Sequence, residues 1–226
     1  MSGPVAVVAG AGGELGRAVA EKLAAAGFTV AGIDRNEQAL KQLPDGIGRE
    51  VADPVDPAAA RNVVDRIAAE VGPPEVLVNT IGTYHLGGAL TATQADLRLM
   101  IDVNVGSALW LTQAVVPYMR ERGSGSIVHV ASRPGLEPTA GLTAYALSKA
   151  ALVYLTRTLD LELRPLGIRV NAVAPQLINT AETRQFTPPD ALAHSVTPGA
   201  IADVLVYLAS DAAAPVSGAI VPAYGA

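Results

Sequence analysis

Runs of consecutive apolar residues alternate with Ala-rich helical stretches from one end of the chain to the other. Residues 5–9, 28–33, 47–52, 75–79, 126–131, 168–174 and 218–222 are short β-rich runs, each the length of a single strand. Between them, 14–26, 36–42, 57–71, 93–122, 143–164 and 199–209 carry good helix formers, with a break in the fourth near Asp102. Strands alternating with helices predict βαβ units. The strand runs lack polar alternation, which predicts burial on both faces. The expected fold is α/β: a Rossmann-type doubly wound parallel sheet of about seven strands, with helices on both faces in a three-layer sandwich. No repeat, low-complexity tract or linker interrupts the pattern, so 1–226 reads as one domain.

Two segments break the rhythm. Residues 80–92 follow the fourth strand and are loop-like. Residues 175–198 hold Pro175, Pro188, Pro189 and Pro198 among polar residues, and read as a loop over a substrate. Both begin at the carboxyl ends of predicted strands, where open α/β sheets bind ligands.

Composition narrows the partners. Hydrophobic residues make up 50% of the chain and charged residues 16%, a packed globular balance that argues against disorder. Aromatics are only 4%, so the core must be built from Ala, Val, Leu and Ile. A formal charge of −5 without any Lys/Arg cluster leaves no electrostatic footprint for nucleic acid or an anionic membrane. With no Cys and three scattered His, no metal site is expected. The first strand starts almost at Met1 and no uninterrupted apolar run reaches membrane-spanning length, so the expectation is a cytoplasmic protein.

The chemistry concentrates at a few positions. Tyr145 and Lys149 lie four apart on a predicted helix, hence on one face, and a cation there favours an ionised phenol. Ser132 precedes the tyrosine by 13 residues and Asn104 by 41. The first strand runs into Gly10, Gly13, Glu14, Leu15 and Gly16, a turn whose glycines and following helix N-terminus suit a diphosphate. Asp34, closing the second strand about twenty positions on, suits a ribose 2′-hydroxyl; it equally suits a cap on the next helix. Arg35 beside it could turn to a 2′-phosphate or simply be solvated. Asp53 reads either as an acceptor for an adenine amino group or as a kink before Pro54. Asn79, with Gly82, ends the fourth strand, where it either passes a cofactor or fixes the turn. Tyr84, His85, Arg133 and Gln176, with Glu137 and His194 further out, are the substrate-pocket candidates, Arg133 suiting a carboxylate or phosphate unless Glu137 holds it. His129, inside a strand, reads as structural.

Over essentially its whole length the chain resembles the short-chain dehydrogenase/reductases, in their compact single-domain branch. The matching features are the glycine turn at 10–16, Asp34, Asp53, Asn79 to Gly82, Asn104-Val105, Ser132, Tyr145 with Lys149, the run Arg169 to Pro175 and a closing Ser217-Gly218. The chain departs from the family pattern at Glu14, where a glycine is usual, at Ala9 for threonine, at Thr80-Ile81 and at Gln176. The resemblance implies a nicotinamide-dependent exchange between a secondary alcohol and a ketone. In it Tyr145 is the general acid or base, Lys149 lowers the phenol's pKa and binds the nicotinamide ribose, and Ser132 donates to the substrate oxygen. Asn104 holds a relay water, and the backbone after Pro175 at Ile178 and Thr180 meets the carboxamide. NAD(H) is favoured because a 2′-phosphate would face Asp34, with NADP(H) possible through Arg35. The alternatives are an NADPH-dependent ketoacyl-type reductase and a dinucleotide-binding sensor or assembly subunit without turnover, which Glu14 and Thr80-Ile81 support. Apolar residues on the two long helices, Leu109, Leu152, Val153, Leu155 and Leu159, exceed one core face. With the family's helix pairing between subunits, they imply a homotetramer, with a dimer as the fallback.

Overall fold

The fold is a computed structural model that describes residues 3–225, the side chain of Phe186 excepted. Its strands are β1 (Val5–Ala9), β2 (Thr29–Asp34), β3 (Gly48–Val51), β4 (Pro74–Asn79), β5 (Gly125–Val130), β6 (Ile168–Pro175) and β7 (Ile220–Ala223). The helices between them are α1 (Glu14–Ala25), α2 (Glu37–Leu40), α3 (Pro57–Glu70), α4 (Gln94–Ile101), α5 (Ser107–Arg122), α6 (Thr143–Leu163), α7 (Ala181–Phe186), α8 (Pro189–Leu192) and α9 (Pro198–Ala209). All seven strands are parallel, in the order β3-β2-β1-β4-β5-β6-β7. The order reverses between β1 and β4, which opens a crevice above their carboxyl ends.

β1 explains why the sheet is covered twice. Ala6 and Val8 face one core with Val19 and Leu23 of α1 and Ile201 and Leu205 of α9. Val5, Val7 and Ala9 face the other, with Val64 and Ile67 of α3 and Leu111, Val115 and Met119 of α5. A strand apolar at every position can satisfy both faces only in a three-layer stack.

Three expectations need correction. The segment 175–198 is not all loop: α7 and α8 form in it, each started by a local device, Thr180 and Thr183 capping one another and Pro189 sitting in the first turn. The second concerns the helical run Gln94–Arg122, which is long and apolar enough by length and composition to cross a membrane. Here α5 buries Leu111, Val115 and Met119 in the core of this fold. Third, Leu152, Val153 and Leu159 of α6 are buried inside the chain. The large apolar side chains that α6 leaves exposed are Leu147, Tyr154 and Leu161.

The edge strand is held by side chains as well as by its ladder. Asn171 on β6 is fully buried; its Nδ2 donates to Val216 O at 3.0 Å and its Oδ1 accepts from Ala219 N at 3.0 Å. Buried Asp160 of α6 accepts from Ser217 Oγ and Arg164 Nη2, so the segment entering β7 is anchored from two elements. Replacing Asn171 with Ala removes two hydrogen bonds and leaves Ala219 N unpaired, while Val216 O keeps Arg169 Nη1 as a donor at 3.1 Å. We expect a loss of about 3 kcal/mol and a melting temperature lower by roughly 6–12 °C in scanning calorimetry; a shift under about 2 °C would assign the anchoring elsewhere.

Candidate active site

The crevice begins where β1 turns into α1. Gly10 has φ 80°, and the N–H groups of Gly10 and Ala11 both donate to Ile33 O, at 2.8 and 3.1 Å, folding the turn over β2. A Cβ on Gly16 would lie 2.1 Å from Gly10 O, so the helix can press on the turn only through a glycine. Gly13 is the N-cap residue and supplies no capping side chain. The amides at the start of α1 and the positive end of its dipole therefore remain for an anion.

The carboxylate at the end of β2 is already engaged. Asp34 Oδ2 accepts from Gly12 N at 3.0 Å and Oδ1 from Asn36 N at 2.9 Å, while Asn36 itself caps α2. Arg35 Nη1 lies 3.9 Å from Asp53 Oδ2, both side chains exposed, and Asp53 Oδ1 accepts from Val55 N at 3.2 Å. Buried Asn79 turns its Oδ1 to Ile81 N at 3.0 Å.

The second half of the crevice is built by α6 against β5. A single π turn at Asp102–Gly106 joins α4 to α5 and carries Asn104 inward. Asn104 Oδ1 accepts from Thr83 N at 2.9 Å, and its Nδ2 donates to Thr83 O and Ser148 Oγ, each at 2.9 Å. Ser148 Oγ in turn donates to Tyr145 O at 2.7 Å. The loop after β4 is thus tied through one amide to the turn of α6 that bears the tyrosine.

Lys149 is buried, and its Nζ donates to Val130 O at 2.9 Å. The ammonium is 5.9 Å from the centroid of the Tyr145 ring. Desolvation lowers its pKa to about 8. The Tyr145 phenol is pushed up by burial and drawn back by its hydrogen bond with Ser132. In this structure the lysine turns to a strand carbonyl, and the side chains that act on the phenol are Ser132, which draws its pKa down, and Tyr84, which pushes it up. One bond leaves two of the three ammonium donors for a ligand. A Cβ on Gly82 would sit 3.2 Å from both Lys149 Nζ and Asn104 Oδ1, so this glycine keeps open the space those two groups share.

A cavity of about 700 Å³ runs from the glycine turn to these residues. Among the residues singled out from the sequence, Gly10, Gly13, Glu14, Leu15, Gly16, Gly82, Tyr84, Ser132, Tyr145, Lys149, Pro175, Gln176, Ile178 and Thr180 line it. Asp34, Arg35, Asp53, Asn79 and Asn104 are not among its lining residues. His85 is turned to Asp96, at 3.5 Å. Arg133 donates to Glu137 Oε2 at 2.9 Å and Gln176 Oε1 at 3.0 Å and stacks 4.9 Å from the Tyr224 ring. Among the described residues that line this cavity, His85, Arg133 and His194 are absent, while Tyr84 and Gln176 are present. His129 is fully buried with both ring nitrogens unpartnered, and desolvation takes its pKa to about 4; it is neutral at physiological pH.

Sequence reasoning missed Leu86, Pro134, Leu142 and Leu177, which line the wall and carry no signal beyond being apolar. It also missed the partner of Glu14. That carboxylate accepts from Ala181 N at 2.6 Å, bridging the start of α1 to the start of α7 across the crevice both line.

This geometry can be set against known proteins. A family model described as short chain dehydrogenase matches residues 4–191. The chain belongs to the short-chain dehydrogenase/reductase family. It is 32% identical over 235 residues to the 4-formylbenzenesulfonate dehydrogenase of Comamonas testosteroni, covering 95% of this chain and 93% of the relative. It is also 32% identical over 237 residues to the 3-oxoacyl-acyl-carrier-protein reductase of Thermotoga maritima, covering 98% and 96%. Among solved structures, a putative short-chain dehydrogenase/reductase from Burkholderia xenovorans superposes with a TM-score of 0.94 at 27% identity, covering 99% of this chain and 96% of that one. Members of this family are oxidoreductases that use NAD(P)(H), and the uncapped start of α1 and the spare donors of Lys149 fit such a dinucleotide.

Burial of Lys149 has a pH signature. Its native pKa, about 8, lies below the ordinary 10.5, so between those values the unfolded chain holds more protons and stability rises with pH. Relative to Lys149→Met, wild-type protein is expected to gain up to about 3 kcal/mol from pH 7.5 to 10.5, measured by urea unfolding. A flat difference would mean that the ammonium is hydrated in the native state.

Proposed function

We propose that this short-chain dehydrogenase/reductase interconverts a secondary alcohol and its ketone with NAD(H), Tyr145 serving as the general acid or base. The observation that carries the reading is that Ser132, Tyr145 and Lys149 line one cavity with the glycine turn, with Ser132 close enough to draw the phenol's pKa down. A bound nicotinamide supplies the hydride. In reduction, Tyr145 Oη gives a proton to the carbonyl oxygen while Ser132 Oγ donates to the same oxygen and stabilises its developing charge. The Lys149 ammonium offsets the charge left on the phenol and holds a ribose hydroxyl with a donor not used by Val130. Asn104 acts as a positioning residue, fixing the loop at Thr83 over this pair.

Asp34 supports NAD(H), since a 2′-phosphate beside it would meet a carboxylate. A second reading, NADPH-dependent ketoacyl reduction, draws on Arg35, which is exposed and only 3.9 Å-paired with Asp53, and on the similarity to the Thermotoga reductase. We read the protein as cytoplasmic and as a homotetramer. Leu147, Tyr154 and Leu161 recur every seven residues on the outer face of α6 and would pair across a two-fold axis. Sedimentation that finds only a monomer would refute the assembly.

Tyr145→Phe tests the chemistry. Turnover should fall on the order of 10³-fold while cofactor binding, followed by thermal shift, is retained; unchanged turnover would remove the phenol from the reaction. In the same titrations NADH should stabilise the protein more than NADPH, and the reverse order would favour Arg35.

A further inference from the structure

The oxidoreductase reading leaves the substrate's chemistry open, and the wall around Tyr145 narrows it. Tyr84 stands edge-on to the Tyr145 ring, with centroids 6.3 Å apart at 74°. Leu86 lines the cavity yet is 64% exposed. It is held there by backbone: Gly87 N donates to Gly141 O and Thr143 N to Gly87 O, each at 2.9 Å, which fixes the loop beside Leu142. Pro134 and Leu177 complete the apolar surface. A leucine pinned open at a cavity mouth marks a surface that a ligand covers.

The charges at this end point the same way. The arginine nearest Ser132 in sequence is unavailable, because Arg133 is held by Glu137, Gln176 and Tyr224. The cations that do line the cavity sit elsewhere, Arg17 in the first turn of α1 and Lys149 in the buried layer against β5. The charged side chain on the substrate side is Glu182 of α7, near enough to Tyr84 to raise its phenol pKa alongside burial. An anionic substituent along this apolar wall would meet the Glu182 carboxylate, while the cations among the described lining residues are Arg17 at the glycine turn and Lys149 beneath the reacting groups.

We infer that the substrate is an uncharged ketone or secondary alcohol with an extended apolar substituent, lying along Leu86, Leu142 and Leu177, and that Glu182 turns away carboxylates and phosphates. The inference rests on the oxidoreductase reading above. It is tested on the whole purified protein with NADH and a matched set: 2-butanone, 2-hexanone, 2-octanone and 7-oxooctanoate, the last having the chain of 2-octanone with a terminal carboxylate. Transfer of apolar surface from water is worth about fourfold per fully buried methylene, so kcat/KM is expected to rise at least about tenfold from 2-butanone to 2-octanone on a half-open wall. The oxo acid should fall at least about tenfold below 2-octanone. Glu182→Gln should narrow that last gap severalfold, as should added salt. Leu86→Ser, at an exposed position whose change does not threaten folding, should flatten the chain-length series. A flat series in the wild type, or an oxo acid turned over as well as 2-octanone, overturns the inference while leaving the oxidoreductase reading intact. Failure of all four ketones, with NADH binding still seen by fluorescence, overturns that parent reading and this inference with it.

Discussion

An ammonium group loses its hydration when buried, and Lys149 recovers one hydrogen bond for that loss, from Val130 O. That bond ties the first turns of α6 to the carboxyl end of β5, which is also where Ser132 emerges. Because Tyr145 is one helical turn before Lys149, the same tether sets the phenol beside Ser132. The incomplete coordination of the ammonium makes the region receptive: the two remaining donors are held in a low-dielectric place where a hydroxyl ligand meets little competition from water. The arrangement places a desolvated ammonium, its pKa lowered to about 8, at the floor of the crevice.

The upper wall depends on a different constraint. Asn104 stands on a π turn, and its amide satisfies both backbone groups of Thr83 while donating to Ser148. A straight α-helix through 102–106 would carry that side chain to another azimuth. The irregularity in the helix is thus what registers the loop after β4 against α6, and with it Tyr84 and Leu86. Floor and wall both converge on Gly82, where only a hydrogen atom fits comfortably between Lys149 Nζ and Asn104 Oδ1.

Much of this was legible in the sequence for identifiable reasons. Uniformly apolar strands such as Val5–Ala9 announce burial on both faces, and the spacing from Ser132 to Tyr145 and Lys149 survives because each residue sits on a regular element. What stayed hidden is non-local. The acceptor of Lys149 is a backbone carbonyl, which has no residue-type signal. Arg133 reads as a free cation until Gln176 and Tyr224 arrive from distant segments. Hydropathy cannot tell a helix face buried by its own chain from one apolar for another reason, which is why Leu152, Val153 and Leu159 of α6 read as interface residues although the chain's own core buries them. The Pro-rich tract after β6 hides α7 and α8 because their caps are local threonine and proline devices rather than periodic apolar positions.

Glu14 introduces a coupling between halves of the crevice. Its carboxylate, at the first position of α1, fastens the first amide of α7, so the segment after β6 is tethered across the crevice to the helix that follows the glycine turn. The width of the crevice between these two helix starts is thereby set by the length of a single glutamate side chain, and the walls cannot part without giving up that bond.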